Sequence, residues 1–205
     1  MTTLMANLTS VSMVGFAGRF GVAALAGYGI GARLEYMIAP VAFGIGSGLT
    51  TLVGVAAGAG AWHRAMKVAW IGGLTAFAAV GLIGWLVALF PEAWSRLFTS
   101  DDQVAAASIS YIRHIAPFYC LFGLGISLNF ASQGAGRMTA PLMASFARMM
   151  TAMIVGWIVV EKADLGLDGL FGAIALGIVV YGCWFAASLL IRPWREKAPS
   201  KPSNG

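Results

Sequence analysis

Long apolar runs without a single charged side chain constrain this sequence more than any other feature. An α-helix needs about 20 apolar residues to cross the hydrocarbon core of a bilayer. It also satisfies its own backbone hydrogen bonds there, which an isolated extended segment does not. Four uncharged runs extend from Met1 to Gly18, Tyr36 to Ala61, Val68 to Phe90 and Gly169 to Ile191. These runs therefore predict membrane-spanning helices.

The composition of the whole chain agrees with this prediction. Of its 205 residues, 59% are hydrophobic and 10% are charged, whereas soluble domains average about 45–50% and about 25%. A soluble enzyme and a disordered chain are therefore excluded, and the 2 cysteines exclude a disulfide scaffold. The net charge of +5 is scattered singly between apolar runs, which indicates membrane orientation and argues against nucleic acid binding.

We divide the chain into an all-α bundle of six membrane spans, residues 1–191, and a polar tail, residues 192–205. The tail is rich in Lys, Pro and Ser, and we predict that it is disordered in the cytoplasm. The alternating pattern of a membrane β-barrel is absent from the sequence. The six predicted spans are 1–18, 22–61, 68–90, 104–136, 138–160 and 169–191.

Basic residues are concentrated in alternate loops of this predicted bundle. The loops after the second and fourth spans, with the tail, hold seven basic residues and one acidic residue. The remaining loops hold three basic and six acidic residues. The positive-inside rule assigns the first set to the cytoplasm. We therefore predict a multi-pass protein of the plasma (inner) membrane with both termini in the cytoplasm.

The first apolar segment lacks the basic residues that usually precede a first span. A signal peptide would fit the A-x-A sequence at Ala24–Ala26, but it also requires a basic n-region. The interpretation that we favour is that Met1 lies inside a longer helix and that the chain is a fragment.

Three stretches carry motifs whose order and spacing point to one family. Gly18–Gly60 contains an Ala-Gly pair, an Arg-x-Glu and a closing Gly-Ala-Gly before a basic loop. Leu97–Pro117 contains a Leu-Phe, an acidic pair and a later Ala-Pro, and Gln133–Leu142 is a Gly-rich turn with one basic residue. Together they resemble the multidrug and toxic compound extrusion (MATE) family of efflux transporters. Members have twelve helices in two lobes, and this chain is similar to nearly all of the C-terminal six-helix lobe.

This resemblance implies export of small cationic or amphipathic drugs by H⁺ or Na⁺ antiport with alternating access. It implies a lipid bilayer and a missing N-terminal lobe, or a second lobe copy, as partners. Sodium-coupled members carry acids at positions that fall near Ala6 and Asn7 and near Leu124 and Gly125, where none is found. The resemblance therefore implies that the coupling ion is bound in the missing lobe. We expect no metal site and no other cofactor.

Polar side chains within the apolar segments are the candidates for a substrate cavity. Each such group must line a polar cavity or bond across helices. They are Asn7, Tyr36, Tyr119 and Asn129. Arg148 lies within the fifth span and must face a cavity, snorkel or find a partner. Met150 and Met153 suit a promiscuous cavity wall, although an apolar stripe equally suits lipid or core.

Proline and glycine predict where the helices bend and approach one another. Pro40 and Pro117 each remove a backbone hydrogen bond and are candidates for helix bending, which alternating access would use. Small residues spaced four apart allow close helix packing. We predict such contacts at three pairs in the second span, Gly27 and Gly31, Gly44 and Gly48, and Gly54 and Gly58.

Other functions fit the sequence less well. A serine protease at Ser47 would need a histidine base at membrane depth, but His63 and His114 fall near opposite ends of spans. We therefore predict that the chain is not an enzyme. A lipid-linked saccharide flippase of the wider superfamily would need a cationic cluster to bind pyrophosphate, for which Arg148 is the one candidate. An inert half-transporter fragment also remains open.

Overall fold

The computed structural model describes residues 2–161, 166–191 and 194, with the side chains of Thr2 and Thr3 excepted. The described residues form helices joined by short turns, which confirms the predicted all-α class. The helices are α1 (Thr2–Gly18), α2 (Val22–Gly58), α3 (Trp62–Leu89), α4 (Pro91–Arg96), α5 (Asp102–Ile115), α6 (Tyr119–Gly134), α7 (Thr139–Glu161) and α8 (Gly166–Ile191). A 3₁₀ turn, Ala116–Phe118, joins α5 to α6.

Among the described residues, five helical rods are long and apolar enough to cross a membrane. They are α2, α3, the continuous rod formed by α5 and α6, α7, and α8. The apolar α1 corresponds to the first predicted span and is shorter, with 17 residues. The predicted disordered tail lies outside the described residues except for Trp194, which is buried.

Two predicted loops are wrong in extent because helices continue past the apolar core. Residues 62–67, which connect the second and third predicted spans, are the start of α3, so the basic residues there lie in the first turns of that helix. The connection between the third and fourth predicted spans, 91–103, contains α4, which begins at Pro91, where a missing amide proton costs nothing. The Asp101 carboxylate then accepts the backbone N–H of Gln103 at 2.8 Å and of Val104 at 3.1 Å and caps α5.

The two candidate bending prolines lie in different local structures. Pro117 lies in the 3₁₀ turn that divides the fourth predicted span into α5 and α6. Helix α2, in contrast, continues through Pro40 as one helix of 37 residues. Gly84 of α3 packs against the turn, since a Cβ there would lie 2.5 Å from the carbonyl oxygen of Ala116. The absence of a side chain on Gly84 therefore lets α3 approach the turn closely.

Glycine contacts confirm one of the three predicted close-packing pairs. A Cβ on Gly27 would lie 2.4 Å from the Cβ of Ala107, and one on Gly31 would lie 2.2 Å from the Tyr111 ring. These two glycines therefore hold α2 against α5.

The predicted pair Gly44 and Gly48 is wrong, and of the third pair only Gly54 makes a contact, since a Cβ there would lie 3.4 Å from the carbonyl oxygen of Gly134 in α6. Among the described residues, nothing lies within 4 Å of a Cβ built on Gly44, Gly48 or Gly58. The contact is made instead by Gly46, whose Cβ would lie 2.5 Å from the Phe130 ring of α6. Two positions turn a helix by about 200°, so Gly44 and Gly48, on either side of Gly46, face away from α6. Spacing alone identifies a stripe of small residues and does not identify its partner.

A hydrogen bond between Glu35 and Tyr111 ties α2 to α5 inside the bundle. The Tyr111 hydroxyl donates to Oε1 of Glu35 at 2.9 Å. The Tyr111 ring is 1% exposed and makes edge-to-face contacts with Tyr28 and Phe171, at centroid distances of 5.5 and 5.2 Å. The Glu35 carboxyl therefore has a fixed donor in an apolar environment.

Tyr111→Phe is expected to lower the free energy of unfolding by about 0.5–3 kcal/mol, because a partly buried carboxyl loses its donor. Tyr36→Phe is the matched control, since Tyr36 is next to Glu35 and 75% exposed. Thermal unfolding of both variants in one detergent measures the difference. Equal unfolding temperatures would show that this bond contributes nothing to stability.

Candidate functional site

A partly open cavity of about 390 Å³ lies where α1, α2, α6, α7 and α8 meet. Its polar lining comes mainly from α6, α7 and α8, and its aromatic lining from α2 and α6. The lining residues are Ala6, Thr9, Phe43, Phe122, Ile126, Asn129, Phe130, Gln133, Ser145, Arg148 and Tyr181. This volume lies within the range of about 300–1,000 Å³ that is typical of small-molecule sites.

A chain of hydrogen bonds crosses the cavity from α6 to α8. Gln133 Nε2 donates to Asn129 Oδ1 at 2.7 Å, and Asn129 Nδ2 donates to the Tyr181 hydroxyl at 3.1 Å. Asn129 and Gln133 are four residues apart, so they lie on one face of α6. Gly125 lies one turn before Asn129, and a Cβ there would be 2.5 Å from the Tyr181 ring. The small residue therefore makes room for the ring that receives the bond.

The positive charge of the cavity comes from Arg148. This half-buried residue lies nine positions after the start of α7, about 13.5 Å along the axis at 1.5 Å per residue. Its guanidinium carbon is 5.4 Å from the Phe122 ring centroid and 5.7 Å from that of Tyr181. Both distances fall within the usual range of cation–π contacts. The two rings hold the guanidinium at the cavity wall.

The structure brings some of the predicted cavity residues together and separates others. Asn129 and Arg148 line the cavity. Tyr119 is fully buried, and its hydroxyl has no hydrogen-bond partner among the described residues. Asn7 and Tyr36 are exposed, and Met150 and Met153 are half-buried on α7 outside the cavity lining. Roles for these last residues in substrate binding stay predictions.

Sequence reasoning missed Phe122, Gln133 and Tyr181. Gln133 is predictable in principle, because it lies one helical turn after Asn129 in the same span. Tyr181 had none, since it meets Asn129 across 52 positions of sequence. Phe122 is one of many aromatic residues in apolar segments. The sequence does not show that its ring lies beside the Arg148 guanidinium.

A second groove of about 530 Å³ lies between α7 and α8 at the opposite end from Glu161. Arg137, Met143, Trp184 and Trp194 contribute to its lining. Its described lining is mainly apolar and includes Ala140, Ala187 and Ile191. The candidate site is therefore the cavity around Arg148.

These features define a multi-helix membrane protein with a solute-sized, mixed polar and aromatic cavity within its helix bundle. That combination is typical of a transporter domain. The family model described as MatE matches residues 1–158, more than half of the chain. The chain belongs to the MatE (MATE) family of transporters, as its motifs indicated.

Known proteins support this membership and show how much of them the chain represents. It is 31% identical over 182 residues to a probable multidrug resistance protein NorM of Thermotoga maritima. The match covers 87% of this chain and 39% of that relative. The chain therefore spans less than half the length of the curated relative that it matches.

Solved structures show the same fold. A MOP superfamily transporter from Pyrococcus furiosus, described as having a binding pocket of reverse polarity, matches with a TM-score of 0.81 and 16% identity. That match covers 98% of this chain and 46% of the other. The Vibrio cholerae MATE transporter VcmN in its bent form matches with a TM-score of 0.78 and 21% identity, over 95% of this chain and 44% of the other. At these identities the likeness concerns the fold alone.

Proposed function

We propose that this chain forms one lobe of a multidrug efflux antiporter and one wall of its substrate cavity. The cavity around Arg148 carries the proposal. It combines aromatic faces, which suit varied apolar substrates, with a few polar groups that orient them. A second six-helix lobe would supply the facing wall, and rocking between the lobes would expose the cavity to each side in turn. The chain performs no covalent chemistry.

The charges at the two ends of the bundle support one orientation. At one end lie the exposed ion pairs Arg19–Glu161, Arg96–Asp102 and Arg113–Glu92. The opposite end carries Arg64, Lys67 and Arg137 and, among the described residues, no carboxylate. The positive-inside rule favours the basic end as cytoplasmic. We propose a plasma-membrane location with both termini in the cytoplasm.

The driving force in this proposal is an inward flux of H⁺ or Na⁺. An ion that couples to transport needs an ionisable or oxygen-rich site at membrane depth. Among the described residues of the cavity lining, the polar groups are amides, hydroxyls and one guanidinium. A cation would be repelled by that guanidinium. We therefore propose that the coupling ion binds in the other lobe.

A lipid-linked saccharide flippase is less well supported. Binding of a pyrophosphate favours several cationic donors that act together. The described lining of this cavity contains one. Efflux of smaller amphipathic compounds fits this single charge better.

The test is efflux by the protein expressed from its complete open reading frame in a bacterial strain without its own drug pumps. Phe43→Ala should lower resistance to at least one substrate by about tenfold, as expected for loss of an aromatic anchor. Phe43 is 49% exposed at the cavity, so its removal should spare folding. Phe77→Ala, on the outer surface of α3 and 36% exposed, is the matched control.

Two results would contradict this function. One is the absence of efflux for every member of a panel of cationic, zwitterionic and anionic dyes. The other is efflux that continues after both the proton and sodium gradients are collapsed. Equal resistance in the Phe43→Ala and Phe77→Ala strains would remove this cavity from the substrate path.

A further inference from the structure

The charge of Arg148 is unbalanced within the part of the chain that the structure describes. No carboxylate of residues 2–161, 166–191 or 194 lies within 4 Å of its guanidinium nitrogens. The nearby rings of Phe122 and Tyr181 attract the charge, but a guanidinium also has five N–H donors that rings satisfy poorly. Charged groups at membrane depth pair with a counter-charge or face a water-filled cavity. Arg148 lines the cavity.

The described carboxylates are already engaged elsewhere. Glu35 accepts from Tyr111, and the Asp101 carboxylate caps α5. Asp168 accepts from Ser110 near the start of α8. The remaining three, Glu92, Asp102 and Glu161, form the ion pairs at the end of the bundle. None of the described carboxylates therefore forms a direct ion pair with Arg148, and a direct ionic partner comes from outside the described residues.

A second donor lies beside Arg148. The Tyr181 hydroxyl accepts from Asn129, which in turn accepts from Gln133. The Tyr181 oxygen accepts the last hydrogen bond of this chain. The hydroxyl proton of Tyr181 therefore stays available for donation to another acceptor. Hydrogen bonds aligned in this way polarise one another and strengthen the last donor. Because the Tyr181 ring also contacts the guanidinium, a charged donor and a neutral donor share one wall of the cavity.

We propose that Arg148 and Tyr181 bind an oxyanion, a carboxylate, sulfonate or phosphate, of an amphipathic substrate. The apolar body of such a substrate packs against Phe43 and Phe130, whose ring centroids lie 5.6 Å apart in an edge-to-face pair. This inference rests on the proposed efflux function and specifies its substrates as anionic or zwitterionic amphiphiles. A carboxylate of the facing lobe could present the same kind of oxyanion to Arg148 and Tyr181. The test distinguishes this protein carboxylate from a substrate oxyanion.

Fluorescein and a cationic rhodamine ester are suitable probes, because they share a xanthene ring system and differ in charge. Binding to the full-length protein in detergent is measured by fluorescence anisotropy. Arg148→Gln should weaken fluorescein binding by about tenfold or more, as expected for loss of a charge-assisted contact. Arg148→Lys should retain part of the affinity, and rhodamine binding should be unchanged or tighter. Arg64→Gln removes an exposed charge at the basic end and is the matched control.

Three outcomes would overturn the assignment while leaving efflux intact. The first is equal fluorescein affinity in the wild type and Arg148→Gln. The second is transport and binding of rhodamine with no binding of fluorescein. The third is a lower unfolding temperature in Arg148→Gln with equal weakening of both dyes, which would assign the counter-charge to a carboxylate of the facing lobe. Failure of the wild type to export any dye would instead contradict the efflux function itself.

Discussion

Gly125→Val is expected to lower the unfolding temperature of the full-length protein by about 2–12 °C. Overpacking a well-packed core costs about 1–3 kcal/mol, and 1 kcal/mol corresponds to about 2–4 °C in a domain of about 150–250 residues. A Cβ at this position would lie 2.5 Å from both Cδ1 and Cε1 of Tyr181. That ring is 5% exposed and also packs on Phe185 at a centroid distance of 5.2 Å. It therefore has little room to move away.

Removal of the obstructing ring should rescue this variant. Tyr181→Ala alone deletes a buried aromatic ring and destabilises the protein, but it also opens the space that the valine needs. The double variant Gly125→Val with Tyr181→Ala should therefore be more stable than the sum of the two single effects. A double-mutant cycle of thermal unfolding measures this coupling, which for residues in contact is about 0.5–3 kcal/mol.

Gly172→Val is the control for this cycle. Gly172 lies on α8, as Tyr181 does, and nothing among the described residues would lie within 4 Å of a Cβ at this position. The substitution should be tolerated and should show additive behaviour with Tyr181→Ala. Additive behaviour of Gly125→Val with Tyr181→Ala would contradict the contact between α6 and α8 at the cavity.

The helices of this protein were predictable because hydrocarbon imposes a simple requirement on sequence. A run such as 169–191 can satisfy its backbone in a membrane as a helix, and the structure has α8 there. The starts of helices were less predictable. Helix α3 begins at Trp62 and includes Arg64 and Lys67, because long basic side chains near a helix end reach the polar interface. Charge therefore marks the edge of the hydrocarbon and does not mark the end of the helix.

The candidate site was predictable only in part. Asn129 and Arg148 stood out because polar groups within apolar runs need a reason to be there. Tyr36 stood out on the same argument, yet it is exposed on the surface of the described bundle. Periodicity gives the spacing of residues on a helix, but the direction in which each face points depends on its neighbours. Tyr181 joins the site through Gly125, a contact that exists only once α6 and α8 have packed.

The contact between α2 and α6 at Gly134 differs from the contact at Gly125. A side chain added at Gly134 would clash with backbone atoms of α2, whereas one added at Gly125 would clash with a side-chain ring. A Cβ on Gly134 would lie 2.4 Å from the carbonyl oxygen of Thr50 and 3.0 Å from its carbonyl carbon and Cα. The Thr50 hydroxyl also donates to the carbonyl oxygen of Phe130 at 3.1 Å, which fixes the two helices at this distance. No change of side chain at Thr50 can move its carbonyl oxygen out of the way.

Gly134→Val is therefore expected to cost more than Gly125→Val, at or above about 3 kcal/mol, and to resist rescue. Thr50→Gly in the same chain should restore none of the lost stability, since the clash is with the main chain. Gly48→Val is the matched control, because Gly48 is exposed on α2 and nothing among the described residues lies within 4 Å of its Cβ position. Size-exclusion chromatography of fluorescently tagged variants, followed by thermal unfolding, measures all three. Recovery of a folded peak in the Thr50→Gly double variant would show that the two backbones can separate, and that α2 and α6 are less tightly joined than the Gly134 contact indicates.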